Sequence, residues 1–397
     1  MIPRAFQQYL VVTASYWAFT ITDGALRMLV VLFFHNLGYS PIEVATLFLL
    51  YELFGVVTNL VGGWLAARLG LNRTMQAGLI LQIISLAMLL VDQSNLTVVY
   101  VMVAQALSGI AKDLNKMSAK SSIKQLVPTD APGQLYRWVS LLTGSKNALK
   151  GFGFFLGAML LALIGFRSSV GVMALGLSVV FIANCCLLDK GIGKTAFKPK
   201  FSEVFSTSAS VNRLSAARLF LFGSRDVWFV VALPVFLQSQ LMWSHMQVGT
   251  LLALWVVGYG FIQTLAPKVT GLQQGIIPTG KTALEWSMLL LLVPLLIVAA
   301  IYLDFFAEHA VVVGLLAFGA VFAINSSVHS FLIVSYAKEE GGSLDIGFYY
   351  MANAAGRLVG TLLSGVVYQQ FGFEACLLVS AVFILSVSMI SIGLPRF

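Results

Sequence analysis

Eight cations lie inside long apolar stretches of this chain: Arg27, Lys112, Lys116, Lys146, Lys150, Arg218, Arg225 and Arg357. Only four acids share those stretches, Asp23, Glu52, Asp113 and Asp226. A Lys or Arg at the centre of a bilayer costs about 2.5–3.5 kcal/mol on insertion scales, so most of these must line a wet cavity rather than face lipid. Pairing with four acids still leaves a positive excess, and that excess needs an anion. Arginine forks grip phosphate-like oxyanions bidentately, while lysines act as movable point charges. The expected ligand is therefore a small molecule with more than one anionic head, of the phosphate-ester class. Neutral sugars and lipophilic drugs match it poorly.

Spacing sorts these residues into faces. Asp23 and Arg27, Lys146 and Lys150, and Asn353 and Arg357 stand one helical turn apart. The stretch 109–124 places lysines at 112, 116, 120 and 124 along one drifting helix face, with Asp113 and Asn115 beside it. Lys150, Arg225 and Arg357 fall roughly 16–20 Å from the cytoplasmic ends of their helices, near midplane. Arg27 and Arg225 are expected to clamp one oxyanion, and Lys112, Lys150 and Arg357 another. Lys116, Lys146, Asn115, Asn147 and Asn353 complete the expected binding set. Asp23, Glu52, Asp113 and Asp226 either compete with the ligand for these cations or carry a proton. His329, beside Asn325, Ser326 and Ser327, reads as a hydrogen-bonding packer or a proton relay.

Plainer readings stand beside these. Lys116 and Arg218 lie near a cytoplasmic end and suit snorkelling. Asp23–Arg27 and Arg225–Asp226 suit structural ion pairs. Lys112, Lys150 and Arg357 have no acid on their own face, which favours a ligand role. Gly153-x-x-x-Gly157 and Gly356-x-x-x-Gly360 suit helix contacts.

The positioning elements follow from composition. The 397 residues are 59% hydrophobic and 10% charged, values that place the chain among polytopic membrane proteins. Apolar runs long enough to cross a hydrocarbon core number twelve: 9–34, 42–66, 75–92, 96–118, 138–164, 169–188, 214–240, 247–266, 284–303, 310–335, 347–369 and 374–394. The first reads as a span rather than a removable signal peptide. The expected organisation is a six-helix bundle over 1–189, a cytoplasmic linker over 190–213 and a second six-helix bundle over 214–397.

Basic residues set the orientation. Arg4, Arg68, Arg73, Lys120, Lys124, Arg137, Lys190, Lys194, Lys198, Lys200, Arg213, Lys268, Lys281, Lys338 and Arg396 collect on one side. The other side has Arg167 with Asp92, Asp304 and Glu308. Both termini are thus expected in the cytoplasm, in a multi-pass protein of the cell's inner (plasma) membrane. The halves echo one another near a 200-residue offset: Asp23 with Asp226, Arg68 with Lys268, Asn147-Ala148 with Asn353-Ala354. Two such repeats about an axis along the membrane normal describe an all-α major facilitator fold of twelve transmembrane helices in two pseudo-symmetric bundles.

Other chemistries find no support. Gly191-Ile-Gly193-Lys194-Thr195 resembles the end of a phosphate loop, but Leu188 stands where the first glycine is required. Cys185, Cys186 and Cys376 read as buried packing thiols rather than a disulfide or metal framework. No catalytic set, metal site, cofactor or nucleic-acid surface is expected, so the chain reads as a non-enzyme and as a monomer.

The segment from Gly63 to Arg73, GWLAARLGLNR, resembles the loop after the second span of major facilitators, with Ala67 in place of the usual acid. More specifically, Thr20–Pro41 (TITDGALRMLVVLFFHNLGYSP), Glu52–Thr74 and Gln105–Lys124 resemble the organoarsenical efflux permeases, the ArsJ branch of that superfamily. The resemblance implies export of 1-arseno-3-phosphoglycerate, which forms when glyceraldehyde-3-phosphate dehydrogenase accepts arsenate in place of phosphate. That enzyme is thereby implied as a functional partner. A pentavalent oxyanion calls for Arg and Lys, whereas trivalent arsenic would call for converging thiols. The rival expectations are a sugar-phosphate exchanger, which needs the same cations, and a non-transporting anion sensor, which would need an added partner-binding segment.

Overall fold

The computed structural model describes residues 4–39, 46–126, 132–188, 205–230, 232–243, 245–303, 307–338 and 342–396. The linker cations Lys190, Lys194, Lys198 and Lys200, the phosphate-loop look-alike and Asp304 lie outside the described residues.

Among the described residues the regular elements are all helical. They are α1 (Arg4–Asn36), α2 (Leu49–Leu69), α3 (Leu71–Met88), α4 (Val98–Leu126) and α5 (Pro132–Leu187). These are followed by α6 (Ala209–Phe229), α7 (Ala232–Ser239), α8 (His245–Val269), α9 (Gly280–Tyr302), α10 (Ala307–Tyr336) and α11 (Gly342–Ser391). Short 3₁₀ turns occupy Gln93–Asn95 and Leu272–Gln274. α5 and α11 are each two spans joined at a single glycine. Gly165 (φ 74°, ψ 174°) and Gly372 (φ 84°, ψ −174°) adopt a conformation closed to residues with a Cβ. With those arms counted separately, and α6 with α7 taken as one interrupted span, the described helices supply the twelve expected crossings.

Among the described residues, six stretches are long and apolar enough to cross a membrane: Gln7–Phe34, Met159–Leu187, Leu251–Gln274, Gly280–Tyr302, Glu308–Tyr336 and Gly342–Ser391. The helices that fall short include α4, α6 and the first arm of α5. These carry Lys112, Lys116, Arg218, Arg225, Asp226, Lys146 and Lys150. They are too polar for lipid alone, which fits burial of their charged faces against protein.

The stretch after the second expected span is not an open loop. α2 continues through Arg68 to Leu69, and α3 begins at Leu71, so Gly70 alone makes the hinge. Arg68 is exposed and stacks over Trp64, 5.0 Å from its centroid. Lys120, expected among the loop cations, is instead buried near the end of α4.

The chain divides into two compact units. The first comprises 1–131, 145–205 and 337–351; the second comprises 132–144, 206–336 and 352–397. Within the first, the α1 backbone lies directly on the first arm of α5. A Cβ at Gly153 would sit 2.6 Å from the Ile21 carbonyl, and one at Gly157 would strike that of Ala25. Within the second, α6 lies on the first arm of α11 in the same manner, Gly356 meeting Leu219 and Gly360 meeting Gly223. The two small-residue motifs are helix contacts, as their spacing predicted.

These matched contacts fix the internal register and correct the echo read from sequence. Gly153 and Gly356, like Gly157 and Gly360, differ by 203 positions; their partners Ile21 and Leu219, or Ala25 and Gly223, differ by 198. Asp23 and Asp226 are therefore not equivalent, and neither are Asn147 and Asn353. Arg27 and Arg225, 198 apart, are.

Candidate functional site

In the first unit, five of the expected residues converge around Tyr51, a position that no charge or motif marked in the sequence. Its hydroxyl donates to Asp23 Oδ1 at 2.7 Å. Arg27 Cζ lies 4.8 Å from its ring centroid and Lys112 Nζ lies 3.9 Å from it. Arg27 also stacks on Phe48 at 5.0 Å and donates to Glu52 Oε1 at 2.9 Å. Lys150 Nζ stands 3.8 Å from the second Asp23 oxygen. One turn further along α4, Lys116 donates to Asp113 Oδ1 at 2.6 Å and lies over Tyr350, while Lys112 is 3.8 Å from Asp113 Oδ2.

Close backbone approach makes this cluster possible. A Cβ at Gly109 would lie 2.6 Å from the Tyr51 carbonyl, so α4 touches α2 without an intervening side chain. Gly55 leaves room for the Asp113 carboxylate, 3.2 Å from where its Cβ would stand. Asn115 turns away from the lysine stripe. Its amide donates to the Ala111 carbonyl at 3.0 Å and packs on Gly78 of α3, which makes it part of the α3–α4 contact. Lys146 and Asn147 are half-buried on the first arm of α5, in the turn before Lys150.

In the second unit one carboxylate serves two arginines. Arg225 reaches Asp226 Oδ1 at 2.5–2.6 Å, and Arg357 donates from Nε to Oδ2 at 3.1 Å. Arg225 is ringed by Phe222, Phe229 and Phe322 at 4.9, 6.0 and 5.5 Å. Asn353 accepts from Arg218 Nε at 2.8 Å, and Arg218 donates also to the carbonyl and hydroxyl oxygens of Ser326, both at 3.1 Å. His329 is wholly buried on α10, one turn from Asn325, and neither ring nitrogen meets a hydrogen-bond partner among the described residues.

Several expectations are corrected. Asp23 and Arg27 are not an ion pair across one turn, because tertiary partners on α2 and α5 take both side chains. Lys112, Lys150 and Arg357 do have acidic neighbours, the first on its own helix and the others across a helix contact. Arg218 does not snorkel; it is 3% exposed and locked to Ser326 and Asn353. Cys185 and Cys186 are exposed on α5, and only Cys376 is a buried thiol.

Burial orients the three aspartate clusters alike. The side chains of Asp23, Asp113 and Asp226 are 1–6% exposed, whereas those of Lys112, Lys150, Arg225 and Arg357 are 14–33% exposed. Arg27 and Glu52 are about equally exposed, at 27% and 32%, whereas around these three aspartates the acids stand behind and the cations in front. Such a carboxylate lowers the cost of the cations while leaving them within reach of a ligand. Sharing also preserves the excess: Arg27, Lys112, Lys116, Lys146 and Lys150 belong to the same unit as Asp23, Glu52 and Asp113, and Arg218, Arg225 and Arg357 to the same unit as Asp226.

Comparison with known proteins bears on the fold. The family model described as Major Facilitator Superfamily matches residues 10–270. Solved structures match over nearly the whole chain. The human organic anion transporter MFSD10 (TETRAN) is similar at 16% identity and TM-score 0.78, with 98% of this chain and 100% of that chain covered. A bacterial homologue of the iron transporter ferroportin, in an outward-facing state, gives 13% identity and TM-score 0.77 over 98% and 99% of the two chains. FucP, a Major Facilitator Superfamily transporter in the outward conformation, gives 11% and 0.77 over 100% of both. No curated protein sequence matches the chain.

Proposed function

The chain belongs to the major facilitator superfamily and is a secondary transporter of that kind; within it, we propose that it exports a pentavalent organoarsenical, 1-arseno-3-phosphoglycerate, from the cytoplasm. The observation that carries this reading is the pair of equivalent arginines, Arg27 and Arg225. Each is stacked on aromatic rings beside one acid, and each stands in a unit whose cations outnumber its acids. A substrate with a phosphate and an arsenate on a three-carbon body carries the oxyanions that such cationic groups bind. The resemblance of Thr20–Pro41, Glu52–Thr74 and Gln105–Lys124 to the organoarsenical permeases selects this substrate among phosphate-ester-like anions.

The mechanism follows from charge. An arriving oxyanion draws Arg27, Lys112 and Lys150 forward from their carboxylates in the first unit, or Arg225 and Arg357 from Asp226 in the second. Release lets the carboxylates reclaim them. Asp23, Glu52, Asp113 and Asp226 thus act as built-in competitors, and a proton on any of them would favour binding. Sites of this kind turn over by alternating access. The membrane is the inner (plasma) membrane, with both termini cytoplasmic, because basic residues crowd that side. On the other side Arg167 is offset by Asp92 at 3.0 Å. The protein acts as a monomer, supplied by glyceraldehyde-3-phosphate dehydrogenase.

Everted membrane vesicles containing the protein test this directly. Arsenic is expected to accumulate when arsenate is supplied with the dehydrogenase, its sugar-phosphate substrate and NAD, and not when any of these is left out. Equal uptake of simple sugar phosphates without arsenate would move the function to metabolite exchange.

A further inference from the structure

Tyr51 touches three ionised residues of the site in the first unit, Arg27, Lys112 and Asp23. It is 2% exposed and lies in the first turn of α2, where its backbone is pressed against Gly109 of α4. Its ring lies under cations from two helices, Arg27 of α1 and Lys112 of α4. Two like charges this close repel, and the negative ring face offsets part of that repulsion. Its hydroxyl donates to Asp23, one turn before Arg27 on α1. Asp23 is the acid nearest Arg27 along the chain, and at that spacing would ordinarily pair with it. Tyr51 and Lys150 take up the two Asp23 oxygens instead.

We propose that Tyr51 is the positioning residue of the anion site in this unit. Its ring presents Arg27 and Lys112 together, and its hydroxyl holds Asp23 back so that the carboxylate does not neutralise them. This rests on the anion-transport reading above. It separates two functions that one substitution pair can resolve. Tyr51→Phe keeps the ring and releases Asp23 to compete with the ligand. Tyr51→Leu removes the ring as well.

The test is equilibrium binding of 3-phosphoglycerate, a stable three-carbon phosphate ester, to the purified full-length protein by titration calorimetry. Tyr51→Phe is expected to weaken binding roughly tenfold, and Tyr51→Leu further, as expected of directly contacting residues. Adding Asp23→Asn to Tyr51→Phe is expected to restore affinity to within about threefold of the native value. A merely structural role would show no such rescue, since the second change removes a further contact. Native-like affinity in Tyr51→Phe and Tyr51→Leu, or failure of Asp23→Asn to rescue, overturns the role of Tyr51 while leaving the anion site standing. Absence of binding by the native protein, with Arg27→Gln no different, overturns the anion site and this proposal together.

Discussion

A carboxylate shared between two cations has consequences that a single pair does not. Asp226 is fully buried and holds both Arg225 and Arg357. Asp226→Asn would remove the counter-charge that the two guanidiniums share. Breaking a buried pair in this way costs about 3–5 kcal/mol. The lower end is expected, because Arg357 remains a third exposed and solvated. A clear drop in the thermal unfolding midpoint of the purified variant would bear this out, and an unchanged midpoint would contradict it. Residue-level reading of the sequence found the ionised members of both clusters, because charge inside an apolar run announces itself. It missed Tyr51, Phe48, Tyr350 and Phe222, since an aromatic residue in such a run looks like packing. It also overrated the one-turn rule. Asp23 and Arg27 had the spacing of a pair, but α2 supplied both with nearer partners.

Elements are held where backbones touch. The Gly356 position has no room for a methyl group, which would fall on the Leu219 carbonyl of α6, whereas Gly365 on the same arm of α11 faces open space. Gly356→Ala is expected to destabilise the protein by about 1–3 kcal/mol through overpacking. Gly365→Ala should be neutral or slightly stabilising, since alanine is favoured over glycine by about 0.5–1 kcal/mol within a helix. Parallel thermal unfolding of the two variants separates local crowding from general helix propensity. Equal effects would contradict the contact. Both motifs were legible as Gly-x-x-x-Gly, but their partners were not. Nothing in the sequence said that Ile21 and Ala25 meet one motif while Leu219 and Gly223 meet the other. That missing step produced the wrong echo between Asp23 and Asp226, because the two halves of each contact repeat at different offsets. Gly70, Gly165 and Gly372 were likewise readable only as breaks between apolar runs. Their positive φ angles show that one residue each suffices to make the turn.

The molecule as a whole couples a lipid-facing apolar majority to a small set of charges that it shields from lipid. Composition and the count of apolar runs gave a helical protein of twelve spans, since a bilayer dictates helix length and polarity, and the echo between its halves pointed to the major facilitator fold. The number of charges, and their excess of cations, was equally plain. What stayed out of reach was the way four carboxylates are distributed among eight cations, because that depends on which helices touch. The outcome keeps Arg27 and Arg225 at equivalent positions, each with an aromatic platform and one acid. Transport of a doubly anionic substrate should therefore depend on both. The deciding measurement is arsenic uptake into everted vesicles with the complete arsenate-fixing enzyme system, at matched amounts of folded native protein, Arg27→Gln and Arg225→Gln. Each substitution is expected to reduce uptake to the level of vesicles lacking the protein. Uptake near the native rate in either variant would remove that arginine from the site and contradict the role assigned to the pair.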